Sequence, residues 1–141
     1  MKKPADGAAH EVPEEVAARK RKLVMVVSSD REFAESLRSH LAGEFDVLVA
    51  RNAGEAAAKA QAVRTDLAVV DLGAPLLGIS ALGRMRELHP APVICALALP
   101  EVPAAHSQFD FDYVLARPAT GADLPERIRF IVAKAKRKTS R

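Results

Sequence analysis

The sequence has no tryptophan, one tyrosine and five phenylalanines, so aromatics make up 4% of its 141 residues and Ala, Val and Leu must fill the core. It has a single cysteine, Cys95, which excludes an intramolecular disulfide and suits a reducing compartment. Cys95 lies in the apolar run Val93-Ile94-Cys95-Ala96-Leu97, with nothing beside it to stabilise a thiolate. It reads as a small core side chain rather than a nucleophile. No apolar stretch approaches the roughly 18 residues that a membrane span requires. The N-terminus has no apolar segment to serve as a signal peptide. A cytoplasmic location is expected. His10, His40, His89 and His106 are dispersed without metal-ligand spacing, and no phosphate-cradling glycine loop or nucleophile elbow is present.

What is present suits one globular domain: 49% apolar and 28% charged residues, in a chain long enough to bury a core. The net charge of +3 is unevenly spread. Of 21 basic and 18 acidic residues, six basic and four acidic lie in 1–22, and five basic with no acidic lie in 134–141. That leaves ten basic against fourteen acidic in 23–133. The body is acidic and the ends are basic.

Residues 1–18 are rich in Ala, Pro and Glu, with almost no large apolar side chains. Residues 1–22 are therefore expected to form a disordered leader that ends in the basic run Arg19-Lys20-Arg21-Lys22. Beyond it, apolar strands alternate with amphipathic helices. Leu23 to Val27 reads as a buried parallel strand. Asp30 can cap a helix whose apolar face is Phe33, Leu37 and Leu41, with Gly43 ending it. Phe45 to Ala50 reads as a second strand, and Asn52 caps a helix from Ala53 to the region of Val63 with an alanine inner face. Leu67 to Asp71 is a third strand. The loop from Leu72 to Gly78 leads to a helix with Leu82, Met85 and Leu88 on one face, which stops at His89-Pro90. A fourth strand spans Val93 to Leu97. The segment 100–109, interrupted by Pro103, reads weakly as a helix. Tyr113 to Ala116 is a fifth strand, and a last helix carries Leu124, Ile128, Ile131, Val132 and Ala135 along one stripe.

This alternation implies an α/β three-layer sandwich with a five-stranded parallel sheet covered on both faces. Right-handed crossovers give the flavodoxin-like order 2-1-3-4-5. The domain is expected at 23–135, followed by a basic tail at 136–141. In such a sheet the functional crevice lies at the carboxyl ends of the strands, where strand order reverses. Here it is bounded by Ser28, Ser29 and Asp30, by Asp71, by Leu97-Ala98 and by Arg117-Pro118.

That order of strand ends resembles the receiver domain of bacterial two-component response regulators (CheY-like), over residues 23–135. The resemblance implies an acidic pair after strand 1, a phosphate-accepting Asp after strand 3, a hydroxyl residue after strand 4 and Lys-Pro after strand 5. Asp71 matches the phosphoacceptor, with Pro75 four residues on and Gly78 one residue early. The acidic pair falls on Ser28 and Ser29, with Asp30 one position late. Leu97 replaces the hydroxyl residue and Arg117 replaces the Lys. Pro118 is retained, and the resemblance implies a cis bond before it. The aromatic switch position falls on Val114, with Tyr113 one residue off.

In such receivers two acids and the phosphoacceptor hold one Mg²⁺, which favours hard, charged oxygen ligands. Serine hydroxyls are poor substitutes, and phosphoryl transfer depends on positioning and charge stabilisation. The resemblance thus implies a degenerate pocket of Ser28, Ser29, Asp30, Leu97, Arg117 and Pro118 around Asp71, with no metal, no cofactor and no catalytic residue. Asp30 reads as a helix cap, and Arg117 as a structural ion-pair partner of Asp71. The expected function is that of a pseudo-receiver: a non-enzymatic, phosphorylation-independent protein–protein interaction module in bacterial signal transduction. Its partner would be a histidine kinase or a signalling or output protein, reached by contact, and the chain would be a monomer or weak dimer. The alternative is a phosphorylatable response regulator taking phosphate at Asp71 from a histidine kinase, with Asp30 helping to hold Mg²⁺. A second alternative makes the basic ends a docking site for a polyanion. Topology is expected to bring Arg19–Lys22 and Lys134–Arg141 to the face away from Asp71, and the lack of interleaved aromatics argues against nucleic acid.

Overall fold

The computed structural model describes residues 21–99, 111–118 and 124–139, with side chains in the last stretch as far as Lys134. Most of the expected leader, the 100–109 segment and the tail beyond Thr139 lie outside these residues. Five strands form one parallel sheet in the order β2-β1-β3-β4-β5. They are β1 (Leu23–Val27), β2 (Asp46–Ala50), β3 (Leu67–Asp71), β4 (Val93–Ala98) and β5 (Tyr113–Ala116). The apolar runs of β1 and β3 are buried at every residue because both strands are central and covered on both faces. β5 alternates half-buried and exposed residues, as an edge strand does. The expected fold class and strand order are those observed.

Helix α1 (Arg31–Leu41) follows β1 and α2 (Ala53–Ala62) follows β2. Asp30 and Asn52 cap them as expected, each side chain accepting an N–H three residues on, from Phe33 at 3.1 Å and Glu55 at 2.8 Å. Such a cap contributes about 1 kcal/mol. Next come a 3₁₀ turn (Ile79–Ala81), α3 (Leu82–Arg86) and, after β5, α4 (Leu124–Thr139). The third helix is shorter than the apolar spacing suggests. It begins as a 3₁₀ turn behind Gly78, whose φ of 69° is left-handed, and its last α-helical residue is Arg86. Among the described residues the cis peptide bond is that at His89-Pro90, and the bond between Arg117 and Pro118 is not cis.

Two apolar layers sandwich the sheet. On one face Val24, Val26, Val69, Cys95 and Leu97 pack with Phe33 and Leu37 of α1 and with Leu124, Ile128 and Ile131 of α4. On the other, Met25, Val27, Val70 and Ile94 meet the alanines of α2 together with Leu82 and Met85. Alanine there lets α2 lie close to the sheet. Burial of an aliphatic side chain such as Leu37 stabilises by about 1.5–3 kcal/mol. Cys95 belongs to the first layer, and burial pushes its thiol up to about 12, with the charge of Asp112 adding to the effect. It is an inert core thiol.

Candidate functional site

The register β1–β3–β4 places Val27, Asp71 and Leu97 at the same edge of the sheet, with Arg117 directly after β5. Ser28 leaves β1 there. Its N–H donates to the Ala50 carbonyl at 2.9 Å, extending the β1–β2 contact by one residue. Its hydroxyl is thereby aimed into the crevice, where it donates to Oδ2 of Asp71 at 2.7 Å and accepts the N–H of Asp30 at 3.0 Å. Ser29 points elsewhere: it is exposed and donates to the Pro75 carbonyl at 2.6 Å. The two serines therefore do different work. Ser28 holds Asp71, and Ser29 holds the loop after β3.

Asp71 ends β3 and is fully buried. Four donors reach its carboxylate. Oδ1 accepts from the Gly73 N–H at 2.8 Å and from Nε of Arg117 at 2.7 Å. Oδ2 accepts from Ser28 and from the terminal Nη2 of Arg117 at 3.1 Å. Each oxygen takes two hydrogen bonds, which uses its acceptor capacity. A buried carboxylate without such partners would be strongly unfavourable.

Arg117 is the centre of this cluster. Its N–H donates to the Ala98 carbonyl at 2.9 Å, which fixes the backbone next to β4. Its side chain grips Asp71 with two nitrogens, and Nη2 also donates to Oδ2 of Asp30 at 2.9 Å. The guanidinium carbon lies 4.1 Å from the centre of the Phe33 ring, a cation–π contact. Hydrogen bonding to Asp71 leads the causes that raise its pKa further, so it is a fixed cation. The Phe33 N–H, and after it Arg117, hold the Asp30 carboxyl below its ordinary 3.8 against the opposing effect of burial.

The ion pair expected between Arg117 and Asp71 is present. Three features of the cluster have no signal in the sequence: the second carboxylate on Arg117, the Phe33 ring beneath it, and Gly73. A Cβ on Gly73 would overlap Cδ of Arg117 and lie 2.7 Å from its Nε. The absence of a side chain at this position is what lets the arginine lie down. Leu97 takes no part; it is fully buried in the apolar layer with α1 and α4. Pro118 is half-buried beside the cluster. Val114, at the expected switch position, is 53% exposed, and Tyr113 instead packs on the α1–α4 layer.

No protein-family model matches the sequence, and no curated protein does. Solved structures do. A CheY-like response regulator receiver domain from Methanospirillum hungatei is 22% identical, with a TM-score of 0.69, and covers 84% of this chain and 99% of its own. The signal receiver domain of an HD domain-containing protein from Pseudomonas fluorescens is 20% identical, with a TM-score of 0.70, over 86% of this chain and 94% of its own. A Thermotoga maritima response regulator solved in complex with Mg²⁺–BeF is 22% identical, with a TM-score of 0.64, over 78% of this chain and 98% of its own. The fold is that of a CheY-like receiver domain.

The Mg²⁺ that a receiver fold implies does not fit the residues found here. Both oxygens of Asp71 are saturated, and the position between Asp71 and Asp30 is held by a guanidinium within 2.7–3.1 Å of both. Ser28 and Ser29 bring no negative charge. Among the described residues, no group of three or more His, Cys, Asp or Glu side chains is placed to hold a metal ion. Among the same residues, no helix is long and apolar enough to cross a membrane.

Proposed function

We propose that this chain is a phosphorylation-independent receiver: a non-enzymatic protein–protein interaction module in bacterial two-component signalling that works without Mg²⁺. One observation carries the reading. Arg117 supplies from within the fold the positive charge that a metal and a Lys would otherwise bring to Asp71, and it leaves no acceptor on that carboxylate free. Phosphoryl transfer to Asp71 would require the guanidinium to leave, and only Asp30, already engaged as the cap of α1, would remain with two neutral serines to help Asp71 bind the cation. The link to signalling rests on fold analogy with the response regulators above. An exposed Val114 in place of a buried aromatic supports the same reading, because it offers no ring to move in response to phosphate. The partner on this reading is a kinase or an output protein.

The test is incubation with acetyl phosphate and Mg²⁺, followed by intact mass at neutral pH. No adduct is expected. An adduct that disappears in Asp71→Asn would show a functioning phosphoacceptor and overturn the proposal.

A further inference from the structure

The opposite edge of the sheet carries a second feature, independent of the state of Asp71. Arg21 donates to the carbonyls of Ala42 and Phe45 at 2.7 and 3.0 Å, which ties the chain just before β1 to the α1–β2 loop. Arg129 of α4 pairs with Glu44 of that same loop at 2.9 Å. Two sequence-distant basic stretches, Arg21-Lys22 and α4, are thereby brought to one edge. The ten helical residues after Arg129 extend the helix by about 15 Å.

The exposed side of α4 joins an aromatic to cations. Phe130 is 62% exposed, Arg127 and Lys134 are exposed beside it, and the Lys134 ammonium lies 5.4 Å from the ring centre. Positions 127, 130 and 134 share a helical stripe, and in sequence the same spacing continues through Arg137, Lys138 and Arg141. The ten basic and fourteen acidic residues of 23–133 give the body the opposite charge.

We propose that this edge docks on an anionic lipid bilayer, with Phe130 entering the interface and Arg127 and Lys134 of α4 lying against the headgroups. Clustered Lys and Arg next to an amphipathic helix are attracted to anionic lipid, each gaining in proximity to the surface, and one buried aromatic adds apolar partition. Phe130 is what selects this occupant. A nucleic-acid backbone or an acidic protein chain satisfies the cations, but only the bilayer places a continuous apolar layer just beneath its charge. The acidic body is repelled by the same surface, so contact is confined to this edge and the Asp71 side faces away.

The chain lacks tryptophan, so Phe130→Trp provides a single reporter. With vesicles of phosphatidylcholine containing phosphatidylserine, at about 0.1 M salt, its emission should shift to the blue, and the full chain should float with the vesicles. Neutral phosphatidylcholine vesicles should do neither. Phe130→Ser and Lys134→Glu, both at exposed positions, should each weaken flotation about tenfold while circular dichroism stays unchanged. No blue shift, equal binding to neutral vesicles, or unchanged flotation of Phe130→Ser would overturn the proposal. Tighter binding to duplex DNA or polyglutamate than to the anionic vesicles would overturn it in favour of a nucleic-acid or acidic-protein partner.

Discussion

Arg117 lies over the Phe33 ring, with its guanidinium carbon 4.1 Å from the ring centre, although Phe33 belongs to the first turn of α1 and Arg117 follows β5. The ring is itself a core side chain, only 5% exposed, so its position is set by packing against the sheet. The orientation of the arginine is thus fixed from below by the core and from the side by two carboxylates. Phe33→Leu keeps apolar volume and removes the π-face. It should cost the cation–π contribution of about 0.5–2 kcal/mol plus a small packing loss, read from urea melts. The loss attributable to the ring should vanish in an Arg117→Met background; an equal cost in both backgrounds would show that the ring does nothing for the arginine.

Asp30 makes the cluster sensitive to acid. Its carboxyl is held below 3.8, first by the Phe33 N–H and then by Arg117. A carboxyl depressed on folding contributes stability that is fully present above its unfolded value and is lost as the pH falls through its lower folded value. Asn at this position still caps α1 but carries no charge for Arg117. Asp30→Asn should therefore be destabilised by less than about 1 kcal/mol near neutral pH, because the Asp30 side chain is 40% exposed and its ion pair is screened. The difference from the parent chain should shrink as the pH is taken below 3.8. A difference that stays constant down to acid would remove the ion pair from the account and leave only the cap.

Gly73 offers a way to expel the arginine while leaving its charge and both carboxylates in the chain. A methyl group here overlaps Cδ of Arg117, and no left-handed φ complicates the substitution. Gly73→Ala should destabilise the parent by about 1–3 kcal/mol through the displaced ion pair. In an Arg117→Ala background the same change should be nearly neutral. The measurement is the pair of urea midpoints. A Gly73→Ala cost that persists without the arginine would mean that the glycine serves the loop backbone instead.

Much of this architecture is legible in the residues themselves. Apolar runs such as Leu67 to Val70 mark fully buried strands, and Asp30 and Asn52 announce their helices because a cap is a local device. The strand-end residues Ser28, Asp71 and Arg117 fall together because the order of a parallel sheet places them there. What escaped is what depends on side-chain direction. Leu97 has the right register to border the crevice, yet it faces the α1–α4 layer. Adjacent Ser28 and Ser29 diverge because one continues the strand pairing and the other has left it. The contact of Arg117 with Asp30 spans 87 residues and turns on a rotamer that local pattern does not encode. The third helix is shorter than its spacing of Leu82, Met85 and Leu88, because Leu88 packs on the apolar layer from the turn after Arg86 and needs no helix to do so.

The last prediction concerns the pair at the centre. Asp71 is fully buried, whereas the Arg117 side chain keeps 15% exposure, so solvent is poorly placed to replace the arginine at the carboxylate when Arg117 is removed. Arg117→Ala leaves a buried carboxylate with only Ser28 and Gly73 as donors, and should cost about 2–4 kcal/mol. Asp71→Ala leaves the guanidinium with Asp30 and an open edge toward solvent, so it should cost less, about 1–3 kcal/mol. The double mutant removes both charges together and should be more stable than the sum of the single changes implies, by about 1–2 kcal/mol. Arg117→Lys separates charge from geometry: an ammonium cannot present two parallel donors or stack on Phe33, so it should recover less than half of the loss. Strictly additive single changes, or full recovery by Lys, would mean that Arg117 acts as a diffuse positive charge and not as a clamp on Asp71.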